Sequence, residues 1–208
     1  MDRAAAKHAM EQRILDVADR LFYGQGIRAV GVDTIAAEIG ISKRTLYNHF
    51  PSKDALIVAY LARRLRPLSV SDEPPVAQIL GFFERLERSF AQTAFHGCPF
   101  FNAVAELKEP RHAASRIALD FKERRRTWFR DLLHHAGAAD VERLSLQLAM
   151  LVDGAIAAAL VRRDPTVARA AHNAARALLE AAAVGGTAAS RGGGRTSRRS
   201  RRRRPRVS

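Results

Sequence analysis

The sequence has 208 residues, of which 47% are hydrophobic, a formal net charge of +14 and a single cysteine. That length can bury the core of one large or two modest domains, and one cysteine excludes an internal disulfide, which fits a reducing cytoplasm. No long uninterrupted apolar run and no apolar segment near residue 1 is visible, so we expect neither a membrane-spanning helix nor a secretory signal.

The positive charge is concentrated in residues 185–208. This segment contains nine arginines and no acidic residue, which leaves +5 of the +14 for residues 1–184. Because it is also rich in glycine, we predict a disordered tail that binds polyanions through counterion release. The same composition is equally compatible with a tail that has no role.

The first predicted helix covers residues 4–24. Its apolar residues recur at i, i+4, i+7 and i+8: Ile14, Ala18, Leu21 and Phe22. This spacing places them on one side of a helix, which we expect to face the core.

Residues 33–50 have the pattern of two short helices joined by a tight turn. Asp33 is placed to cap the first helix, because its carboxylate can accept a hydrogen bond from an orphan amide. Gly40 ends that helix, since a residue without Cβ enters the left-handed conformation without steric cost. Ser42 is a favourable N-cap for the second helix, whose buried side begins at Leu46.

The outward side of this second helix is cationic and rich in hydrogen-bonding groups: Lys43, Arg44, Thr45, Tyr47, Asn48 and His49. A short amphipathic helix of this kind suits insertion into the major groove of DNA. Considered alone, such a face has an alternative interpretation as a surface that contacts only water.

The rest of the chain is predicted to be helical throughout. A helix over Lys53–Arg66 precedes a polar, proline-rich hinge at residues 68–75. Prolines are favoured at the first position of a helix, so Pro75, Pro99 and Pro110 are predicted to start three helices. The predicted segments after the hinge are 75–94, a helix from 99, 110–136, 140–162 with Asp140 as its cap, and 165–184. No segment has a strand pattern, so we predict an all-α fold.

The segment from Ile14 to Leu61 resembles the DNA-binding domain of TetR-type transcriptional regulators. The matching positions are spread over the whole segment without a gap: Ile14-Leu15, Ala18, Leu21-Phe22, Gly26, Ile35-Ala36, Gly40-Ile41-Ser42, Leu46-Tyr47, His49-Phe50, Lys53 and Leu56. The resemblance implies a DNA-binding head at residues 8–68, with its helix-turn-helix at 31–50, and a helical effector-binding and dimerisation domain at 74–184. It also implies that the helices at 140–162 and 165–184 pair with their copies in a homodimer.

The resemblance further implies which residues contact DNA. The base-edge readers implied are Lys43, Arg44, Thr45 and Asn48. The phosphate contacts implied are Thr34, Ser42, Tyr47, His49 and Lys53, which set register and not sequence. Whether Asn48 or His49 touches a base or a phosphate stays open.

Aromatic residues after the predicted hinge indicate an apolar pocket between helices, which by resemblance holds an unidentified small-molecule effector. The candidate lining residues are Phe83, Phe101, Trp128, Met150 and Asp153. Core packing is the alternative for the aromatic residues. Asp153 lies inside an apolar run and needs a partner, for which a salt bridge is the alternative to a ligand.

No nucleophile elbow, phosphate-binding loop, dinucleotide motif or metal-ligand spacing is present, so we predict no enzyme, no metal and no cofactor. Cys98, beside Pro99, is either a reactive redox thiolate or a small buried residue. The combined expectation is a cytoplasmic, homodimeric transcriptional repressor that a small molecule releases from a palindromic operator. Two alternatives are a non-specific nucleic-acid binder that acts through the tail, and a helical ligand-binding protein that no longer reads DNA.

Overall fold

The computed structural model describes residues 3–68, 71–182 and 184, and these residues contain nine helices and no strand. The predicted tail at 185–208 lies outside the described residues. The helices are Arg3–Gln25 (α1), Val32–Ile39 (α2), Lys43–His49 (α3), Lys53–Arg64 (α4), Pro75–Phe90 (α5), Pro99–Leu107 (α6), Ala113–His135 (α7), Val141–Arg162 (α8) and Val167–Ala181 (α9). The predicted all-α fold is confirmed.

The turn between α2 and α3 forms as predicted, apart from one cap. Gly40 is left-handed, with φ of 79°, and the Ser42 hydroxyl accepts a hydrogen bond from the Thr45 amide at 3.0 Å. The prediction that Asp33 caps α2 is wrong, because Gly31 occupies the N-cap position and Asp33 lies in the first turn. The Asp33 carboxylate instead accepts a hydrogen bond from Lys43 Nζ at 3.0 Å, which joins the two helices.

Two other predicted helix starts are displaced by hydrogen bonds that side chains accept from backbone amides. Helix α7 begins at Ala113 and not at Pro110, because the His112 Nδ1 accepts the Ala114 amide at 3.0 Å. Helix α9 begins at Val167, since the Asp164 carboxylate first closes a turn on the Thr166 amide at 2.8 Å. The starts of α6 at Pro99 and of α8 after Asp140 are as predicted.

The hydrophobic core of α1 to α4, which we call the head, continues into α5 to α9, which we call the body. Buried residues of α1 to α4 form one cluster with Cys98, Phe100, Ala103, Ala114 and Ala118, which belong to α6, its N-cap and the start of α7. A second cluster fills the space between α5, α7, α8 and α9. The head is therefore seated on α6 and α7 through shared apolar burial, which contributes roughly 25 cal/mol for each Å² removed from water.

Helix α8 bears on the expectation that no helix spans a membrane. It is the one helix in the described part of the chain that is long and apolar enough to cross a membrane, with a mean hydropathy of 1.9. Length and composition are weak evidence by themselves, because the core helix of a soluble protein passes the same test. Leu148, Val152 and Ala159 of α8 are buried in the body's core, so α8 packs as a core helix along that side.

The cap of α8 gives a prediction about acid stability. Hydrogen bonds from the Arg143 side chain and backbone amide hold the pKa of Asp140 below its ordinary value of 3.8. A pKa lowered by folding means that Asp140 stabilises the fold above pH 3.8 and that this stabilisation disappears as the pH falls through the folded-state value. We therefore expect Asp140→Ala to lower the free energy of unfolding at neutral pH but not in strong acid, as measured by urea unfolding. The exposed Asp72 provides the control, and an equal loss at both pH values would contradict the prediction.

Candidate functional site

The outward face of α3 is an open polar surface. Ser42, Lys43, Arg44, Tyr47 and Asn48 are exposed, whereas Leu46 on the opposite side is 0% exposed. The helix has only seven residues, too few to be stable alone, so the burial of Leu46 is what holds this face in position. Thr34, in the first turn of α2, is exposed as well.

Three polar residues of this face, Ser42, Lys43 and Thr45, are already engaged within the head. The hydrogen bond with Asp33 raises the pKa of Lys43 and links the start of α3 to α2. The Thr45 and Ser42 hydroxyls lie 2.8 Å apart. Arg44, Tyr47 and Asn48 form no ion pair or hydrogen bond through their side chains among the described residues, which leaves them available to a partner.

His49 and Lys53 are placed differently from the other candidates. His49 lies three residues after Leu46 and therefore on the inner side of α3. Its side chain is 14% exposed and its Nδ1 lies 3.6 Å from the Glu11 carboxylate of α1. Lys53 is half-buried at the start of α4, and this burial lowers its pKa. Of the nine predicted DNA contacts, six are exposed and Thr45 is half-buried, whereas His49 and Lys53 lie partly inside the head.

The head and the body are joined by polar contacts that the sequence did not indicate. The Tyr23 hydroxyl donates to the Gly97 carbonyl at 2.9 Å and accepts from the His96 amide at 3.0 Å. The Glu106 carboxylate of α6 accepts the Arg28 amide at 2.8 Å. These pairs are more than 70 residues apart in the chain, so no local pattern could have revealed them.

A further contact ties α4 to α1. The Arg64 guanidinium, in the last turn of α4, binds both carboxylate oxygens of Asp19, at 2.5 and 2.7 Å. Its guanidinium carbon also lies 4.2 Å from the centre of the Tyr23 ring, a cation–π distance. The end of α4 is therefore tied to α1, which packs against α3.

Tyr23→Phe is expected to loosen the joint between head and body without opening a cavity. The substitution removes one donor and one acceptor and leaves the Gly97 carbonyl and the His96 amide without a partner. Such losses cost roughly 1–3 kcal/mol, measurable as a lower midpoint of urea unfolding. The exposed Tyr47→Phe is the matched control and should change the unfolding free energy little. Equal effects of the two substitutions would contradict a structural role for Tyr23.

A large cavity lies where the head meets the body, and we call it the hinge cavity. Its volume is about 830 Å³, and it is lined by residues 64–68 at the end of α4 together with parts of α5, α7 and α8. Phe82, Phe121, Trp128 and Ile156 supply much of its apolar wall. The Phe82 and Trp128 rings lie 5.7 Å apart and continue into the body's aromatic core.

The structure does not bring the five predicted pocket residues together. Trp128 lines the hinge cavity, whereas Phe83 is fully buried in the core. Phe101 and Met150 are 63% and 64% exposed on two different surfaces. Asp153 is bound by Lys122 at 2.5 Å and by Arg125, the salt bridge that was the alternative for this residue. Helical periodicity identifies an apolar side of each helix but not the neighbour that this side faces.

The outer side of α8 and α9 carries a second large depression, which we call the outer groove. It has a volume of about 830 Å³ and is lined mainly by small and apolar residues, among them Met150, Gly154, Ala158, Ala170 and Ala174. Leu146 and Val161 of α8 are also exposed, at 53% and 82%. An exposed apolar strip of this kind commonly marks a protein–protein contact.

Cys98 and the histidines form no metal centre in the part of the chain that the structure describes. No group of three or more His, Cys, Asp or Glu side chains there is arranged to hold an ion. Cys98 is buried at the N-cap position of α6, within the core shared by head and body. The candidate surfaces are therefore the face of α3, the hinge cavity and the outer groove.

Comparison with known proteins identifies the same segment as the head. Residues 14–60 match the family model described as bacterial regulatory proteins of the tetR family. A solved structure assigned as a TetR transcriptional regulator of Streptomyces avermitilis is 33% identical, covers 84% of this chain and 98% of its own, and superimposes with a TM-score of 0.75. A TetR-family regulator of Streptomyces coelicolor is 32% identical over 82% of this chain and 94% of its own, with a TM-score of 0.72.

Curated relatives match over shorter segments. A helix-turn-helix transcriptional regulator of Mycobacterium tuberculosis is 38% identical over 81 residues, which are 39% of this chain and 40% of that relative. A helix-turn-helix transcriptional repressor of the same species is 30% identical over 108 residues, with 54% of its length covered. The chain thus spans two fifths to about half of the length of these curated relatives. From the head motif and the similarity to the two solved structures along nearly their full length, the chain belongs to the TetR family of DNA-binding transcriptional regulators, which are not enzymes.

Proposed function

We propose that the chain is a homodimeric, cytoplasmic repressor that binds a palindromic operator and leaves it when a small molecule occupies the hinge cavity. The observation that carries the proposal is the position of this cavity. Its wall contains Arg64 and Leu65, at the end of α4. Helix α4 follows α3 directly, and we call the outer face of α3 the recognition surface. A ligand there lies against the element that orients the head.

Recognition of DNA is assigned to the outer face of α3. We propose Lys43, Arg44, Thr45 and Asn48 as the side chains that reach base edges, with Thr34, Ser42 and Tyr47 on phosphates. Lys43 exchanges its bond with Asp33 for one with DNA. His49 and Lys53 are retained as phosphate contacts only if the head rearranges on binding, because both are turned partly inward.

The outer groove supports a homodimer through α8 and α9. Small residues there permit close approach of helices, and the exposed apolar side chains Leu146, Met150 and Val161 gain burial from a partner. Gln147 lines the same groove, and its Oε1 is buried without a hydrogen-bond partner within the described chain. A dimer also places two recognition helices on successive major grooves, about 34 Å apart.

Met150→Glu tests the dimer, because a glutamate there is solvated in a monomer and buried in the proposed interface. Sedimentation analysis is expected to show a dimer for the unmodified protein and a monomer for this variant, with the helical circular dichroism signal unchanged. Leu119→Glu is the matched control, since Leu119 is equally exposed, at 61%, but lies on α7 away from the groove. Dissociation by Leu119→Glu and not by Met150→Glu would place the interface elsewhere.

Release of DNA by a ligand requires two conformations of the protein, one that binds DNA and one that does not. A near-complete switch requires the ligand to bind the released form about 10⁴-fold more tightly than the DNA-bound form. By linkage, operator DNA must weaken ligand binding by the same factor that the ligand weakens operator binding. The bond between Arg64 and Asp19 supplies a physical connection between cavity and head.

The coupling is tested by selecting an operator from random DNA with the full chain and then screening compounds that raise the melting temperature of the DNA-free protein. Compounds that occupy the hinge cavity are expected to raise the Kd for the selected operator and to lose affinity when operator is present. Compounds that stabilise the protein but leave operator affinity unchanged would contradict ligand release.

Repression is proposed because a relative with 30% identity over 108 residues is a repressor. A reporter gene with the selected operator between its promoter and start codon is expected to fall in expression when the protein is present. Arg44→Ala is the control that keeps the fold and loses the operator. A rise in expression with the unmodified protein would identify an activator instead.

A further inference from the structure

We infer that the ligand of the hinge cavity is an amphiphile with an apolar body and one anionic or strongly hydrogen-bond-accepting group, such as a carboxylate. This inference deepens the proposed function, on which it rests for the statement that the cavity's ligand is the effector. It is carried by three features of the cavity wall: its apolar surface, two buried N–H donors without an acceptor, and an excess of positive charge.

The apolar part of the wall indicates that most of the ligand is apolar. Phe82, Leu86, Trp128, Val152 and Ile156 come from three helices and surround the same space. A cavity of about 830 Å³ has the size of small-molecule sites, which are mostly apolar with a few polar groups that set orientation. A small hydrophilic molecule would leave these side chains facing water and gain little from binding.

The two N–H donors without a partner indicate the kind of polar group that the ligand carries. The Arg125 side chain is 4% exposed, and its Nε has no hydrogen-bond partner in the described chain. The indole Nε1 of Trp128 is buried and without a partner in the same way. The two residues are three apart on α7 and therefore share a side of the helix. Both groups only donate hydrogen bonds, so a ligand group that pairs with them, once the two side chains turn towards the cavity, must accept.

The charges around Arg125 favour an acceptor that is negative. Lys122 and Arg125 share the single carboxylate of Asp153, which leaves one positive charge in this cluster without a counterion. Charge-assisted hydrogen bonds to an ionised acceptor are about twice as strong as neutral ones.

The remaining charges of the wall do not reverse this balance. Two of its carboxylates are already bound by arginines outside the wall, Glu123 by Arg126 and Asp131 by Arg130. Of the wall residues without an ion pair in the described chain, Arg66 and Arg124 are positive and Asp120 is negative. A cationic ligand would therefore meet one free carboxylate against an excess of arginine.

The sole tryptophan of the chain makes the test direct, because Trp128 lies in the cavity wall and its fluorescence reports occupancy. The probes are 4-phenylbutanoate, 4-phenylbutanamide and 4-phenylbutylamine, which share one apolar body and differ in charge. Titration of the full chain is expected to show the acid binding at least about tenfold more tightly than the amide, with the amine weakest. Equal affinities, tighter binding of the amine, or no fluorescence change with the acid would overturn the inference.

Two substitutions are expected to change binding of the acid in opposite directions, which separates an effect on the cavity from a loss of folding. Arg125→Gln is expected to remove the preference for the acid over the amide, and it leaves Asp153 still paired with Lys122. Asp153→Asn is expected to strengthen binding of the acid, because Lys122 and Arg125 then lack their shared counterion. Arg116→Gln, an exposed arginine of the same helix outside the cavity, is the control and should change neither affinity. Weaker acid binding by Asp153→Asn would overturn the inference even if Arg125→Gln failed to fold.

Failure of this inference is distinguishable from failure of the proposed function. The fluorescence titration contains no DNA and reports only which chemistry the cavity accepts. If the acid binds preferentially but leaves operator affinity unchanged, the ligand class stands and ligand release is wrong. If an uncharged or cationic compound binds and releases the operator, the release mechanism stands and the ligand class is wrong.

Discussion

Arg44→Ala is expected to weaken binding to the selected operator by roughly 2–6 kcal/mol per dimer, because a bidentate contact between arginine and guanine contributes about 1–3 kcal/mol of discrimination at each half-site. Arg44 lies in the first turn of α3, is exposed, and forms no ion pair among the described residues. Its removal therefore costs the folded protein little, and the loss should appear in recognition and not in the melting temperature.

The measurement is a binding titration with the selected operator and with a scrambled duplex at two salt concentrations. Arg44→Ala should lose most of the preference between the two duplexes while non-specific affinity changes little. Thr34→Ala is the matched comparison, since a phosphate contact weakens binding to both duplexes alike. If Arg44→Ala also weakened both duplexes alike, Arg44 would be a phosphate contact and the proposed reading of bases would be wrong.

Leu46→Ala is expected to lower the free energy of unfolding by about 2–5 kcal/mol, the range for a fully buried leucine that leaves a cavity. Leu46 is 0% exposed and is the buried anchor of a helix of only seven residues. Since so short a helix has little stability of its own, its position depends on this contact. We expect the recognition surface to become disordered before the body unfolds.

Urea unfolding measures the stability loss, and amide hydrogen exchange locates it. Exchange should accelerate in α2 and α3 while the buried amides of α8 remain protected. Leu119→Ala makes the same change at an exposed site and should alter stability by no more than about 0.5 kcal/mol. Uniformly faster exchange along the whole chain would show that Leu46 stabilises the entire core and not the recognition surface in particular.

The contacts between head and body explain why these two predictions differ in kind. Arg44 faces solvent, and its loss is confined to the interface with DNA. Leu46 belongs to the apolar cluster that continues into Phe100 and Ala114 of the body. A change in that cluster therefore costs folding free energy, whereas the loss of Arg44 does not.

The features that the sequence predicted correctly are those with a local physical cause. A glycine can adopt the left-handed turn at Gly40, and a serine hydroxyl can cap the helix that follows it, whatever the rest of the chain does. The apolar spacing of Ile14, Ala18 and Leu46 likewise identified core residues. Such patterns, together with the motif over residues 14–61, were sufficient for the all-α fold, the helix-turn-helix and the family.

The wrong cap of α2 and the wrong start of α7 have a common cause, which is competition from another hydrogen-bonding group nearby. Asp33 can cap α2, but its carboxylate is drawn to Lys43 across the turn. Pro110 can begin a helix, but the imidazole of His112 accepts the Ala114 amide and sets the start later. Sequence pattern identified Asp33 and Pro110 but not the partners that compete with them.

Tertiary structure alone decided how the helices face one another, and with it the sites other than the recognition surface. Trp128 and Met150 were both predicted to line one pocket, yet Trp128 lines the hinge cavity and Met150 lies in the outer groove. The bonds from Tyr23 to Gly97 and from Arg28 to Glu106 join residues 74 and 78 positions apart. Periodicity determines which side of a helix is apolar, because that depends on 3.6 residues per turn. It does not determine which helix covers that side, because many packings bury the same apolar area and only the complete set of side-chain shapes and charges selects among them.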